Sequence, residues 1–257
     1  MGNTKTKTPL QPWKKIILGV LVIGFAVTLF FGIQWATYAR PPLPEALDAL
    51  ASDDLVTVAE DPWLTFTPAG QQPEVGFIFY PGGRIDPRGY ASLMHVIAAH
   101  GYLVVVPEMP INMAAFDPNA ADEIIAANPQ IQRWVIGGHS VGGVMAAQYT
   151  ERHRDLIAGL TIWAAYPAGN ADLSDADLPV VLIYGSLDPA ANDSKVAERK
   201  DLLPADTVYV RIEGGGHHQF GAYQIEPDEH QAAIPRADQH AQILEATLDL
   251  LAGIAGK

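Results

Sequence analysis

Gly138-His139-Ser140-Val141-Gly142 lies between the apolar run Trp134-Val135-Ile136 and the small-residue stretch Gly143-Val144-Met145-Ala146-Ala147. The pattern predicts a strand, a sharp turn and a helix, with a serine at the apex. Such an elbow is a strong constraint, because the turn must be tight enough to strain the serine backbone and expose its hydroxyl. With six serines and 23 glycines in 257 residues, chance supplies about 0.05 such matches before any flanking context is required. The competing reading is a glycine-rich turn that binds a phosphate or nothing.

A serine hydroxyl is a poor nucleophile at neutral pH, so the elbow predicts a histidine to take its proton and a carboxylate to orient that histidine. In this arrangement they follow in the order serine, acid, histidine. Asp188 comes shortly after the apolar run Pro179-Val180-Val181-Leu182-Ile183-Tyr184, where the orienting acid belongs. Asp172, Asp175 and Asp177 precede that run, at the wrong end of a parallel strand for ligand chemistry. Beyond a third run, Thr207 to Ile212, the glycine-rich loop Glu213-Gly214-Gly215-Gly216 leads into His217 and His218. Adjacent side chains do not reach one point, so one of the two is the base and the other a loop histidine. His95, His100, His139, His153, His230 and His240 read as surface or packing residues. A metal cluster of His217, His218, Asp228 and His230 is the rival use of this region, but it lacks any metal-binding spacing. Neither metal nor cofactor is expected.

An oxyanion hole needs two backbone N–H groups. One is expected from Val141, directly after the nucleophile. The other is expected from Gly82 or Gly83, which follow the apolar run Val75 to Tyr80, since paired glycines let the backbone approach a substrate closely. A plain glycine turn would look the same.

From Leu64 onward the chain resembles the α/β-hydrolases, and within them the α/β-hydrolase fold-5 group related to dienelactone hydrolases. The resemblance rests on Phe79-Tyr80-Pro81-Gly82-Gly83 with Asp86-Pro87 and Tyr90, on Asn112-Met113-Ala114 and Asn119 to Asp122, and on Trp134 to Gly143. It continues through Gly214 to Tyr223 and Ile234-Pro235-Arg236. The family pattern G-G-N-H-x-Q-F-G implies that His217 is the base, and this chain has Gly216 where asparagine is usual. The resemblance implies a serine hydrolase; with no cysteine in the chain, a thiol nucleophile of the dienelactone-hydrolase type is excluded.

The N-terminal region obeys different physics. Ile16 to Ala36 is 21 residues without a charge, long enough to cross about 30 Å of hydrocarbon as a helix. Lys5, Lys7, Lys14 and Lys15 precede it and only Arg40 follows closely. The positive-inside rule therefore predicts a single-pass anchor in the cell membrane, with a cytoplasmic N-terminus and an extracytoplasmic catalytic portion. A cleaved signal peptide is the alternative, opposed by the length of the run and the lack of an A-x-A site. The expected divisions are 1–15 cytoplasmic, 16–38 transmembrane, 39–54 linker and 55–257 catalytic domain.

Beyond residue 40 the chain carries 11 basic against 29 acidic residues, a net of −18. That excess argues against nucleic acid as a partner and against direct docking to an anionic surface. Strands are expected near 55–58, 63–66, 75–80, 103–106, 134–136, 160–164, 180–184 and 208–212. Helices are expected over 87–99, 119–127, 141–152, 193–203 and 237–251. Continuous apolar strands alternating with helices predict an α/β fold, a mostly parallel sheet covered on both faces. Only about a dozen residues separate the sixth and seventh strands, too few for a helical cap, so the site is expected to be open. The favoured reading is a serine hydrolase acting on small esters with short or compact acyl groups. The alternatives are an acyltransferase using the same triad and an anchored binding module without catalysis. No feature of the sequence specifies an oligomeric state.

Overall fold

The eight apolar runs pair into one sheet in a computed structural model that describes residues 11–226, 229 and 232–256. The strands are β1 (Val56–Ala59), β2 (Leu64–Pro68), β3 (Val75–Tyr80), β4 (Leu103–Val106), β5 (Arg133–His139), β6 (Ile157–Trp163), β7 (Val180–Gly185) and β8 (Val208–Ile212). Their order across the sheet is β1-β2-β4-β3-β5-β6-β7-β8, antiparallel where β2 meets β1 and β4 and parallel from β4 to β8. The inner strands read as unbroken apolar runs because both of their faces are covered: every residue of β3, β4 and β7 is buried. The register pairs Tyr80 with Gly138, so the end of β3 lies beside the elbow at the end of β5.

Side chains alternate across the sheet with the strand period of two. Phe77 and Phe79 enter a core under α3 (Ala91–Ala99) and α7 (Arg236–Ala255). Ile78 and Tyr80 enter the opposite core under α4 (Ala121–Ala127), α5 (Val141–Arg152) and α6 (Asp193–Glu198). Backbone strain collects at one end of this sandwich. Among the described residues, the non-glycine residues with positive φ are Arg84, Ile111, Asn112, Ser140 and Ala164, all in segments that follow the carboxyl ends of β3, β4, β5 or β6. Strain of this kind persists only where surrounding structure over-determines it, typically at functional sites.

The first unit of the chain contains α1 (Pro12–Thr37), 26 residues, of which the span Pro12–Trp35 has a mean hydropathy of 2.8. It is long and apolar enough to cross a membrane. The helix starts four residues before the apolar run, because Pro12 is well suited to a first helical turn.

Residues 39–54, expected as a linker, are instead folded into the second unit, residues 39–257. Arg40 bridges to Ile85 and Pro42 to Tyr223, and Leu43 N–H donates to the Ala222 carbonyl at 2.9 Å. A short helix α2 (Pro44–Asp48) buries Ala46. The Arg40 guanidinium donates to the Glu229 carboxylate at 2.6 Å, with both side chains mostly shielded from water. The segment pairs with loops far along the chain. The Arg40 bonds hold the Glu229 carboxyl below the usual carboxylate range. A depressed carboxylate pKa contributes stability above the ordinary glutamate value and loses it as pH falls. Arg40→Ala is therefore expected to lower unfolding stability by about 1–3 kcal/mol at neutral pH, with the difference shrinking below pH about 4. Denaturant titrations of both proteins check this, and an unchanged neutral-pH midpoint would return the segment to a linker.

Candidate active site

β5 ends in the elbow, and Ser140 sits at its apex with φ 53° and ψ −124°. The two elbow glycines answer to space. A Cβ on Gly142 would lie 2.1 Å from the Tyr80 carbonyl oxygen, and one on Gly138 would lie 2.4 Å from the Gly142 carbonyl carbon. Any side chain at either position would push α5 off the ends of β3 and β5. Ser140 N–H donates to the Trp163 carbonyl at 2.9 Å, tying the strained residue to β6.

Asp188 follows β7 and is 1% exposed. Its Oδ1 accepts the N–H groups of Ala190 at 2.7 Å and Ala191 at 3.0 Å, leaving Oδ2 for another partner. That partner is His217, whose Nδ1 lies 2.8 Å from Oδ2. On its other side, His217 Nε2 is 3.1 Å from the Ser140 hydroxyl oxygen. The structure thus brings Ser140, His217 and Asp188 into one hydrogen-bonded line. The other acids stand elsewhere: Asp175 pairs with Arg154 at 2.8 Å, and the Asp172 carboxylate accepts from Ser174 N–H at 3.0 Å. His218 turns its Nε2 toward Glu229, 3.4 Å away. Of the rival metal cluster, Asp228 and His230 lie outside the described residues.

The loop carrying His217 is held by a residue that sequence reading did not single out. Gln239 of α7, fully buried, accepts from Gly216 N–H at 3.0 Å and donates to the Gly216 carbonyl at 2.9 Å. A side-chain amide satisfies both backbone groups of Gly216, the residue before His217. The acid and base loops are further joined by Leu187 N–H to the Gly215 carbonyl at 2.9 Å and Gly214 N–H to Ser186 Oγ at 2.8 Å.

Gly82 and Gly83 separate in role. Gly82 N–H donates to the buried Tyr90 hydroxyl at 3.0 Å. A Cβ on Gly83 would lie 2.7 Å from Met113 Sδ and 3.2 Å from Val141 Cγ1, so Gly83 and Val141 are neighbours under the Met113 side chain. Met113 belongs to the segment after β4, a contribution that the short connection between β6 and β7 gave no reason to expect. That connection, residues 164–179, contains neither helix nor strand. His139, read from the sequence as a surface or packing residue, is packed inside. It is fully buried, with Nδ1 2.9 Å from the Tyr90 hydroxyl and Nε2 3.1 Å from the His217 carbonyl. Burial, reinforced by the neighbouring His217 and His218, holds its pKa well below the usual histidine value, so the ring is neutral. Burial likewise pushes the Tyr90 phenol well up, so it keeps its proton.

Solved structures of similar fold include a predicted CIB-like hydrolase from Thermoplasma acidophilum. It is 16% identical, covering 76% of this chain and 97% of that one, with a TM-score of 0.57. Est1E from Butyrivibrio proteoclasticus is 12% identical, covering 79% and 99%, with a TM-score of 0.55. MGS-MChE2, an alpha/beta hydrolase enzyme from the metagenome of sediments from the Mar Chica lagoon in Morocco, is 16% identical, covering 63% and 89%, with a TM-score of 0.51. A search of curated proteins found no match. The model of the alpha/beta hydrolase family matches residues 76–241, more than half of the sequence, a span that runs from β3 into α7 and contains Ser140, Asp188 and His217. The chain belongs to the alpha/beta hydrolase family.

Proposed function

We propose that the protein is a membrane-anchored serine hydrolase that cleaves carboxylic esters through Ser140, His217 and Asp188. The observation that carries the reading is the pair of contacts made by one imidazole, 2.8 Å to Asp188 and 3.1 Å to Ser140. Both distances lie within the reach that proton transfer requires.

The chemistry follows from these positions. As Ser140 Oγ bonds to the ester carbonyl carbon, its proton passes to His217 Nε2, and the imidazolium that forms is stabilised by Asp188. The carbonyl oxygen becomes an anion at the first turn of α5, where the Val141 N–H has no partner within the helix and the helix dipole favours negative charge. Gly83 is the second donor, since the Gly82 N–H is already given to Tyr90. Collapse breaks the bond to the alcohol oxygen, which takes the proton from Nε2 and leaves. Water, deprotonated by the same nitrogen, then releases the acid and restores Ser140.

Short or compact acyl groups fit best. Each methylene of a longer chain gains about 0.8 kcal/mol only where an apolar wall covers it, and residues 164–179 build no cap. Lys5, Lys7, Lys14 and Lys15 ahead of the charge-free run Ile16 to Ala36 support a single pass with the N-terminus in the cytoplasm and the catalytic unit outside.

Two experiments test the proposal. The purified protein is expected to hydrolyse p-nitrophenyl butyrate with a higher kcat/KM than the palmitate ester, and Ser140→Ala to lose about three or more orders of magnitude on the butyrate ester. A variant within tenfold of wild type would remove Ser140 from the reaction, and a palmitate preference would require an acyl groove. For topology, the absence of cysteine makes Ser174→Cys at an exposed position a unique label. A membrane-impermeant maleimide is expected to modify it in cells whose cytoplasmic membrane is intact but accessible; labelling only after lysis would reverse the orientation.

A further inference from the structure

We infer that His139, the variable residue of the elbow, is a positioning residue that holds the oxyanion loop and the base loop in register with Ser140. The inference rests on the proposed triad and deepens it.

Three hydrogen bonds run through this ring in sequence. Gly82 N–H meets the Tyr90 hydroxyl at 3.0 Å, the hydroxyl meets His139 Nδ1 at 2.9 Å, and His139 Nε2 meets the His217 carbonyl at 3.1 Å. Their directions follow from which groups can donate. An amide N–H only donates, so the Tyr90 oxygen accepts from Gly82 and its own hydrogen points to Nδ1. A carbonyl only accepts, so Nε2 carries the imidazole hydrogen. The neutral Nε2–H tautomer is the form that satisfies every member of the chain at once, and complete burial of both side chains makes an unsatisfied member costly.

The ring has little room to move. It stacks on Phe220 with centroids 5.5 Å apart and planes inclined by 14°, and it lies 4.8 Å from the His217 ring. A Cβ on Gly82 would lie 2.6 Å from His139 Nδ1, so loop and ring are in close contact. One end of the chain sets the backbone next to the Gly83 N–H. The other sets the backbone of the base itself. Because His139 is covalently adjacent to Ser140, both loops are referenced to the nucleophile through one residue. Misplacement of catalytic groups by about 1 Å costs on the order of 100-fold in rate.

The test uses the purified full-length protein and p-nitrophenyl butyrate. His139→Phe keeps the stacking and removes both bonds. His139→Asn keeps an acceptor near the Nδ1 position, and His139→Gln keeps a donor near Nε2. The Phe variant is expected to lose about 100-fold in kcat with KM within about threefold of wild type, and the Asn and Gln variants to recover part of the loss. Tyr90→Phe combined with His139→Phe should cost less than the sum of the two single changes, since both break one chain. If the Phe variant does not fold, the Asn and Gln variants and Tyr90→Phe carry the comparison. A kcat within about threefold of wild type in the folded variants, equal losses in kcat for all three His139 variants, or independent losses for Tyr90 and His139 would overturn the inference. Ser140→Ala is measured alongside: activity surviving there overturns the triad itself, whereas an inactive Ser140→Ala beside a fully active His139→Phe overturns only the role of His139.

Discussion

The close passage of the first turn of α5 over the end of β3 is the constraint on which the site depends. It exists because Gly142 has no side chain: its missing Cβ would stand 2.1 Å from the Tyr80 carbonyl. Ser140 there adopts φ 53°, and Val141 lies beside the loop containing Gly82 and Gly83. Moving the helix outward would separate the nucleophile from both groups that are proposed to assist it.

A strained turn persists only if its surroundings hold it. Here they do so by joining loops to one another at the carboxyl ends of the strands. Trp163 fixes Ser140 from β6, Gln239 fixes Gly216 from α7, and the backbone of Arg84 donates to the Asn112 carbonyl at 2.7 Å. The segment after α1 joins the same set, with Arg40 paired to Ile85 and Pro42 to Tyr223. These ties reach the loops that carry Ser140, Gly83 and His217, so stability and geometry are shared between them.

Most of the sheet was legible because its signal is local. Unbroken apolar runs such as Val75 to Tyr80 and Val180 to Gly185 became buried parallel strands, and the elbow announced itself in five letters. Asp188 and the His217-His218 pair were legible from their places after strands, and the choice of His217 came from the family pattern. The partners that hold them were not. Gln239 to Gly216 spans 23 residues, Tyr90 to His139 spans 49, and Arg40 to Glu229 spans 189, and no periodicity encodes such pairings. His139 read as a surface or packing residue, and Gly82 and Gly83 looked equivalent until Tyr90 distinguished them. The stretch after Arg40 was expected as a linker for the same reason: a short segment without periodicity reads as a spacer unless its distant partner is known.

The central claim is that His217, aligned by Asp188, activates Ser140 as a nucleophile. Treating the full-length protein with a fluorophosphonate and mapping the adduct by peptide mass spectrometry tests this directly, since the reagent needs an activated nucleophile but no knowledge of the natural substrate. The account predicts one adduct, on Ser140, with a rate that falls by orders of magnitude in His217→Ala. An adduct on another residue, or labelling of Ser140 that is as fast without His217 as with it, would contradict the account.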